Sequence, residues 1–235
     1  MDRPQSAPIG QAPNGFAHPH ARASFAQFGE DIVALSILEA LGRGGGPGFY
    51  VDVGACDPVA GSNTHLLHLR GWSGVNIDAN PASIERFREA RPHDRNVQAA
   101  VSDREEDVEF EIYALAALST ADAGAKADYA REGRAQIVET LFLRTYTLRA
   151  ILDQNVPPGQ AIDLMSVDVE GLDLAVLRSN DWARFAPEVL LVEDLRMSLS
   201  RPLDSAIFGF LAPLGYRLAS HVFITSIYVR DRPPG

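Results

Sequence analysis

The chain has 235 residues, of which 46% are hydrophobic and 22% charged, and it carries a formal net charge of −10. That size and composition fit one soluble domain with a full core, while the acidic balance excludes a nucleic-acid partner, which needs a basic face. Cys56 is the only cysteine, which excludes an intramolecular disulfide and a cysteine-based zinc cluster, and no apolar run approaches the roughly 18 to 20 residues of a membrane span. A reducing, cytoplasmic location is the expectation that fits.

Residues 1–23 are rich in Pro, Ala, Gln and His, lack a signal-peptide core, and read as a flexible tail that includes His18 and His20. Residues 24–235 read as one domain. From Ser24 to Leu41, Phe25, Phe28, Ile32, Leu35, Leu38 and Leu41 recur at threes and fours, the spacing of a helix. The glycine run 42–48 breaks it. This is a connector and not a phosphate loop, because it precedes a strand and Pro47 stands where the last glycine of a fingerprint belongs.

FYVDVGACDP, Phe49 to Pro58, is an apolar strand carrying Asp52 and ending at Gly54. A helix from Ser62 follows, then the strand of GVNIDANP ending on Asp78, with Asn80 and Pro81 opening a helix to about Ala90. Strands are expected at 97–101 and 108–113. The Ala-rich segment 114–137 reads as an insertion, and 114–146 as a lid over the acceptor. Strand-like 138–146 leads to a helix at 147–153. DLMSVDVEG, 163–171, is strand then turn, followed by a helix from Leu172, a strand at 188–192, a helix at 204–214, and two β-rich runs at 216–220 and 222–230. Such alternation predicts a mostly parallel sheet covered on both faces, with an antiparallel hairpin at the carboxyl end.

Open α/β sheets bind ligands at the carboxyl ends of their strands, where Asp52 and Asp78 lie. Asp78 is placed to accept two hydrogen bonds from a ribose diol. Ser62, Asn63 and Thr64 cluster at a helix start whose amides favour a carboxylate, such as a methionine-like tail, although a plain N-cap explains them too. Asp103, after the third strand, offers an acceptor to adenine or is a turn residue. At the other half of the sheet, Asp168 with Glu170 and Glu193 with Asp194 tip two strands. Should those strands be neighbours, Asp168, Glu193 and Asp194 converge in a set suited to Mg²⁺ or another hard divalent ion; capping and ion pairing are the alternatives. His65 and His68 lie three apart on a helix, and His221, between the last two strands, is the preferred histidine base. Trp72 and Trp182 are core residues, with a sugar platform as the lesser reading.

QFGED (Gln27 to Asp31), FYVDVGACDP, SNT, Gly71-Trp72, GVNIDANP, DVEG with Val176-Leu177, and Gly215-Tyr216-Arg217 occur in an order that resembles the FkbM-type methyltransferases over residues 24–230. The resemblance implies a class I methyltransferase Rossmann-like α/β sandwich with a mostly parallel seven-stranded sheet. It further implies S-adenosylmethionine as cofactor and methyl transfer to an oxygen of a sugar or natural product. By that likeness Asp52, Gly54 and Asp78 contact the cofactor, with Ser102 or Asp103 near adenine; Asn80, next to Asp78 at the helix start, is also expected on the cofactor side. The acids Asp168, Glu193 and Asp194, with His221, fall to the acceptor side. Expected partners are a small-molecule acceptor and, as an open alternative, a second copy of the chain. A nicotinamide oxidoreductase is disfavoured, because GACDPV lacks the further glycines that admit a pyrophosphate. A metal-independent enzyme acting on a non-sugar molecule, or a non-catalytic binding protein, remain alternatives.

Overall fold

The computed structural model describes residues 21–43, 45–132 and 136–231, so His18, His20 and nearly all of the expected tail lie outside it. Among the described residues ten strands form two sheets. β1 (Phe49–Val53), β2 (Ser73–Asp78), β3 (Arg95–Gln98), β7 (Leu164–Val167), β8 (Val189–Glu193), β9 (Tyr216–Val222) and β10 (Thr225–Arg230) make the larger one. Its order is β3-β2-β1-β7-β8-β10-β9, parallel except for β10, which runs antiparallel to both β8 and β9 and forms with β9 the expected terminal hairpin. The smaller sheet joins β4 (Ala100–Val101), β6 (Ile137–Tyr146) and β5 (Asp107–Tyr113).

The strand pleat sorts the core. In β1, Phe49, Val51 and Val53 point to one face, where they meet Leu148, Ile151 and Leu152 of α5 (Leu148–Asn155), Val176 of α6 (Asp173–Arg178) and Leu211 of α7 (Ala206–Leu211). Tyr50 points to the other face, against Ala34, Leu35 and Leu38 of α1 (Glu30–Ala40) and Leu66 of α2 (His65–His68). Every residue of β1, β7 and β8 is buried, as strands covered on both sides require. Each fully buried Val, Leu or Ile in these strands contributes about 1.5–3 kcal/mol. α3 (Pro81–Ala90) packs beside β2 and β3, with Asn80 Oδ1 capping Ala82 N at 2.9 Å.

Three expected elements differ. The first helix begins at Glu30 and not Ser24, because Gly29 turns into the left-handed region (φ 92°) and Asp31 gathers the preceding backbone, accepting from Phe25 N at 2.8 Å and Ser24 Oγ at 2.6 Å. The helix expected from Ser62 is a single turn. The strand expected at 97–101 is two strands in different sheets, parted only by Ala99, whose N–H donates to Asp78 O at 2.9 Å. The 114–137 segment holds a short 3₁₀ turn and α4 (Ala123–Glu132).

Candidate active site

β1, β2, β7 and β8 run in parallel, so Val53, Asp78, Val167 and Glu193 end on one edge of the sheet. A cleft of about 600 Å³, counted to its open mouth, lies there, bounded by Gly54, Cys56, Asp78, Ala79, Ala99 to Val101, Phe110, Asp168 and Glu170. Asp78 Oδ2 accepts from Cys56 N at 2.8 Å and Oδ1 from Asn80 N at 2.7 Å. Each oxygen keeps a second lone pair for a ligand hydroxyl. Burial pushes its carboxyl up to about 6, against the pull of those two amides. Gly54 serves the chain itself: a Cβ there would stand 1.7 Å from the Asp168 carbonyl oxygen, so β1 and β7 exit side by side only because it has none.

Asp52 is buried and bound to Thr64, whose hydroxyl donates to its Oδ2 at 2.6 Å. Behind them lies Arg91, which carries no sequence signal because its partners are scattered over some forty residues. Its guanidinium, 1% exposed, donates to Thr64 Oγ1 at 2.8 Å, Ser62 Oγ at 3.0 Å and Tyr50 Oη at 3.1 Å, and to the Pro58 carbonyl. Tyr50 in turn donates to Asp94. Arg91 thereby closes the 56–64 loop onto the sheet. Ser62 Oγ also accepts from His65 N at 3.1 Å and Thr64 N at 3.3 Å. The amides expected to meet a ligand carboxylate are therefore already capped, and Ser62 and Thr64 hold loop positions. Asn63 differs: its Nδ2 donates to Ser166 Oγ at 3.1 Å, while its Oδ1 is buried with no partner among the described residues.

Across the cleft the sequence expectation needs one correction. Carboxylate oxygens of Asp168, Glu170 and Glu193 lie within 4.8 Å of one another. Asp194 is turned away, accepting from Ser205 Oγ at 2.5 Å, so Glu170 takes the place expected for it. The DVEG turn brings Glu170 in by a left-handed backbone (φ 49°), a conformation two-residue spacing along a strand does not foretell. Burial and the neighbouring acids raise the Asp168 carboxyl well above the usual range and push Glu193 up to about 8. Tyr129 of α4 donates its hydroxyl to Glu170, and Thr120 Oγ1 donates to the Glu170 carbonyl at 2.9 Å, so the insertion is docked on the acid cluster.

His221 is not brought to these acids. It sits on β9 with β10 between it and β8, its Nδ1 3.0 Å from Ser226 Oγ. Ser102 and Asp103 lie just past the cleft wall; Ser102 N donates to Tyr146 O at 3.0 Å, and Asp103 is exposed. Trp72 is buried in the core, and Trp182 packs on Phe210 and Tyr216. His65 and His68 face Phe25 and Asp94, away from the acid cluster.

A parallel sheet closed by an antiparallel hairpin, with acids along its carboxyl edge, defines a methyltransferase-type α/β protein. The methyltransferase FkbM domain model matches residues 52–218, and the chain belongs to that family. Similar solved structures include the methyltransferase FkbM from Methylobacillus flagellatus KT, at 14% identity and TM-score 0.42 over 78% of this chain and 43% of that one. Monomeric WbdD aligns at 15% identity and TM-score 0.45, over 92% of this chain and 44% of that one. Precorrin 8w decarboxylase from Methanobacterium thermoautotrophicum aligns at 17% identity and TM-score 0.39, over 91% and 95%. The chain thus spans under half the length of the first two. No curated protein sequence matches it. Among the described residues no helix is long and apolar enough to cross a membrane.

Proposed function

We propose that the chain is an S-adenosylmethionine-dependent O-methyltransferase acting on a hydroxyl of a sugar or glycosylated natural product. The observation that carries this reading is that Asp168 and Glu170 belong both to the cleft and to the acid cluster. A cofactor and an acceptor would meet there. The cleft residues fit the cofactor, with Asp78 for the ribose diol and the apolar Ala99 to Val101 wall for adenine; outside the cleft lining, the orphaned Asn63 Oδ1 offers an acceptor to a methionine ammonium.

Methyl transfer from a sulfonium is an in-line displacement, so the chain's task is to hold the acceptor oxygen in line and take its proton. A carboxylate raised toward neutrality, as Glu193 is, suits that proton. The three clustered carboxylates are also an all-oxygen donor set that fits Mg²⁺, with Asp168, Glu170 and Glu193 as its ligands. Such an ion would supply Lewis acidity toward an acceptor hydroxyl.

Calorimetric titration with S-adenosylmethionine tests the cofactor: micromolar binding is expected, and no binding at millimolar cofactor sinks the proposal. Asp78→Ala should weaken binding by up to about 3 kcal/mol, roughly a hundredfold. With a turned-over acceptor, activity that survives EDTA unchanged removes the metal and leaves the carboxylate base.

A further inference from the structure

Among the described residues only Cys56, Glu170 and Phe223 have positive φ without being glycine, at 54°, 49° and 53°. All three lie on the carboxyl edge of the large sheet. Cys56 follows β1 and lines the cleft, and Glu170 follows β7 in the acid cluster. Phe223 stands in the two-residue turn between β9 and β10, beside Thr225, whose register partner is Glu193. It is the first of the two turn residues, where hairpins of this φ pattern place glycine. A bulky side chain is strained there, and backbone strain of this kind collects at ligand sites. Phe223 is nonetheless 74% exposed. Its ring centroid is 4.5 Å from that of Phe28, itself 41% exposed, across the gap between the terminal hairpin and the segment before α1. Glu30 fixes that segment, accepting from Phe28 N at 2.7 Å and from Thr225 Oγ1 at 3.4 Å.

We propose that Phe28 and Phe223 form the acceptor subsite that takes the C–H face of a pyranoside ring, at the hairpin turn that leads into Thr225, the register partner of Glu193. This rests on the reading of the chain as a methyltransferase of a hydroxyl acceptor, and it narrows that acceptor to a cyclic sugar. Aromatic faces recognise such rings by area and polarizability, and a mutually packed pair this exposed leaves such a face open to solvent.

Saturation-transfer NMR with methyl and phenyl β-D-glucopyranosides at millimolar concentration tests it without turnover. Transfer to the pyranose ring protons of both probes is expected in the wild type, with roughly tenfold weaker binding in Phe223→Gly. Phe28→Ala should act in the same direction, and S-adenosylmethionine affinity should be unchanged in both. Phe223→Gly relieves the left-handed strain, so it should fold. Absence of transfer in the wild type, transfer confined to the phenyl aglycone, or equal binding by both variants overturns the subsite. Failure to bind S-adenosylmethionine instead overturns the function on which it rests.

Discussion

Two side chains decide how the cleft works, and only one of them can be found by reading the chain. Asp78 is visible because it ends an apolar strand before an Asn-Pro helix start. Its raised pKa, about 6, fixes the sign of a pH effect. Below that value the carboxyl gains a proton and loses one of its two acceptor edges, so cofactor affinity should fall as pH drops through about 6. Calorimetry from pH 5 to 8 checks this, and Asp78→Asn should flatten the profile. The same shift makes the folded state hold a proton that the unfolded chain releases, so this group's contribution to stability declines as pH rises from about 4 to 6. Arg91 is invisible in sequence because Tyr50, Pro58, Ser62 and Thr64 converge on it only in space. Removing it leaves the buried Asp52 without its nearby cation and Tyr50, Ser62 and Thr64 without their shared donor, and Arg91→Ala should cost about 3–5 kcal/mol by urea unfolding. Arg91→Lys should recover little, since an ammonium lacks the fork that spans both sides of the loop.

At the level of elements, the short apolar runs of β1, β2, β7 and β8 were legible, and so was the terminal hairpin. What sequence pattern missed has a common cause: backbone held by contacts distant in the chain. Phe25 and Phe28 carry helical spacing, yet Asp31 and Gly29 hold their backbone in another form. Strand-end position alone puts Asp194 in the cluster and leaves Glu170 out; the left-handed turn at Glu170 and the Ser205 hydroxyl on Asp194 reverse that order. Two expectations follow at this scale. Gly54→Ala drives a methyl into the Asp168 carbonyl, and it should lower stability by about 3 kcal/mol or more and misplace the acid, seen as lost cofactor binding in whatever folds. Tyr129→Phe removes the hydroxyl on Glu170, and amide exchange across α4 should quicken by about five- to tenfold while the large sheet is unchanged.

For the molecule as a whole, strain and stability should trade openly. Phe223→Gly gains about 1 kcal/mol by relieving its left-handed backbone, which for a chain of this size raises Tm by roughly 2–4 °C in calorimetric scans. An unchanged or lower Tm would mean the Phe28 contact outweighs the strain. A second whole-molecule consequence comes from Ala99, the lone residue between the two sheets. The small sheet that carries the insertion has its first strand in Ala100 and Val101, and those residues are also the cleft wall. No independent hinge separates them. Any tilt of that sheet is levered through β6, about 33 Å long, onto the surface that would touch adenine. On the proposed function, an acceptor held by the insertion and a cofactor held by the cleft wall would be mechanically geared, and thermodynamic reciprocity would then have each alter the affinity of the other by the same factor.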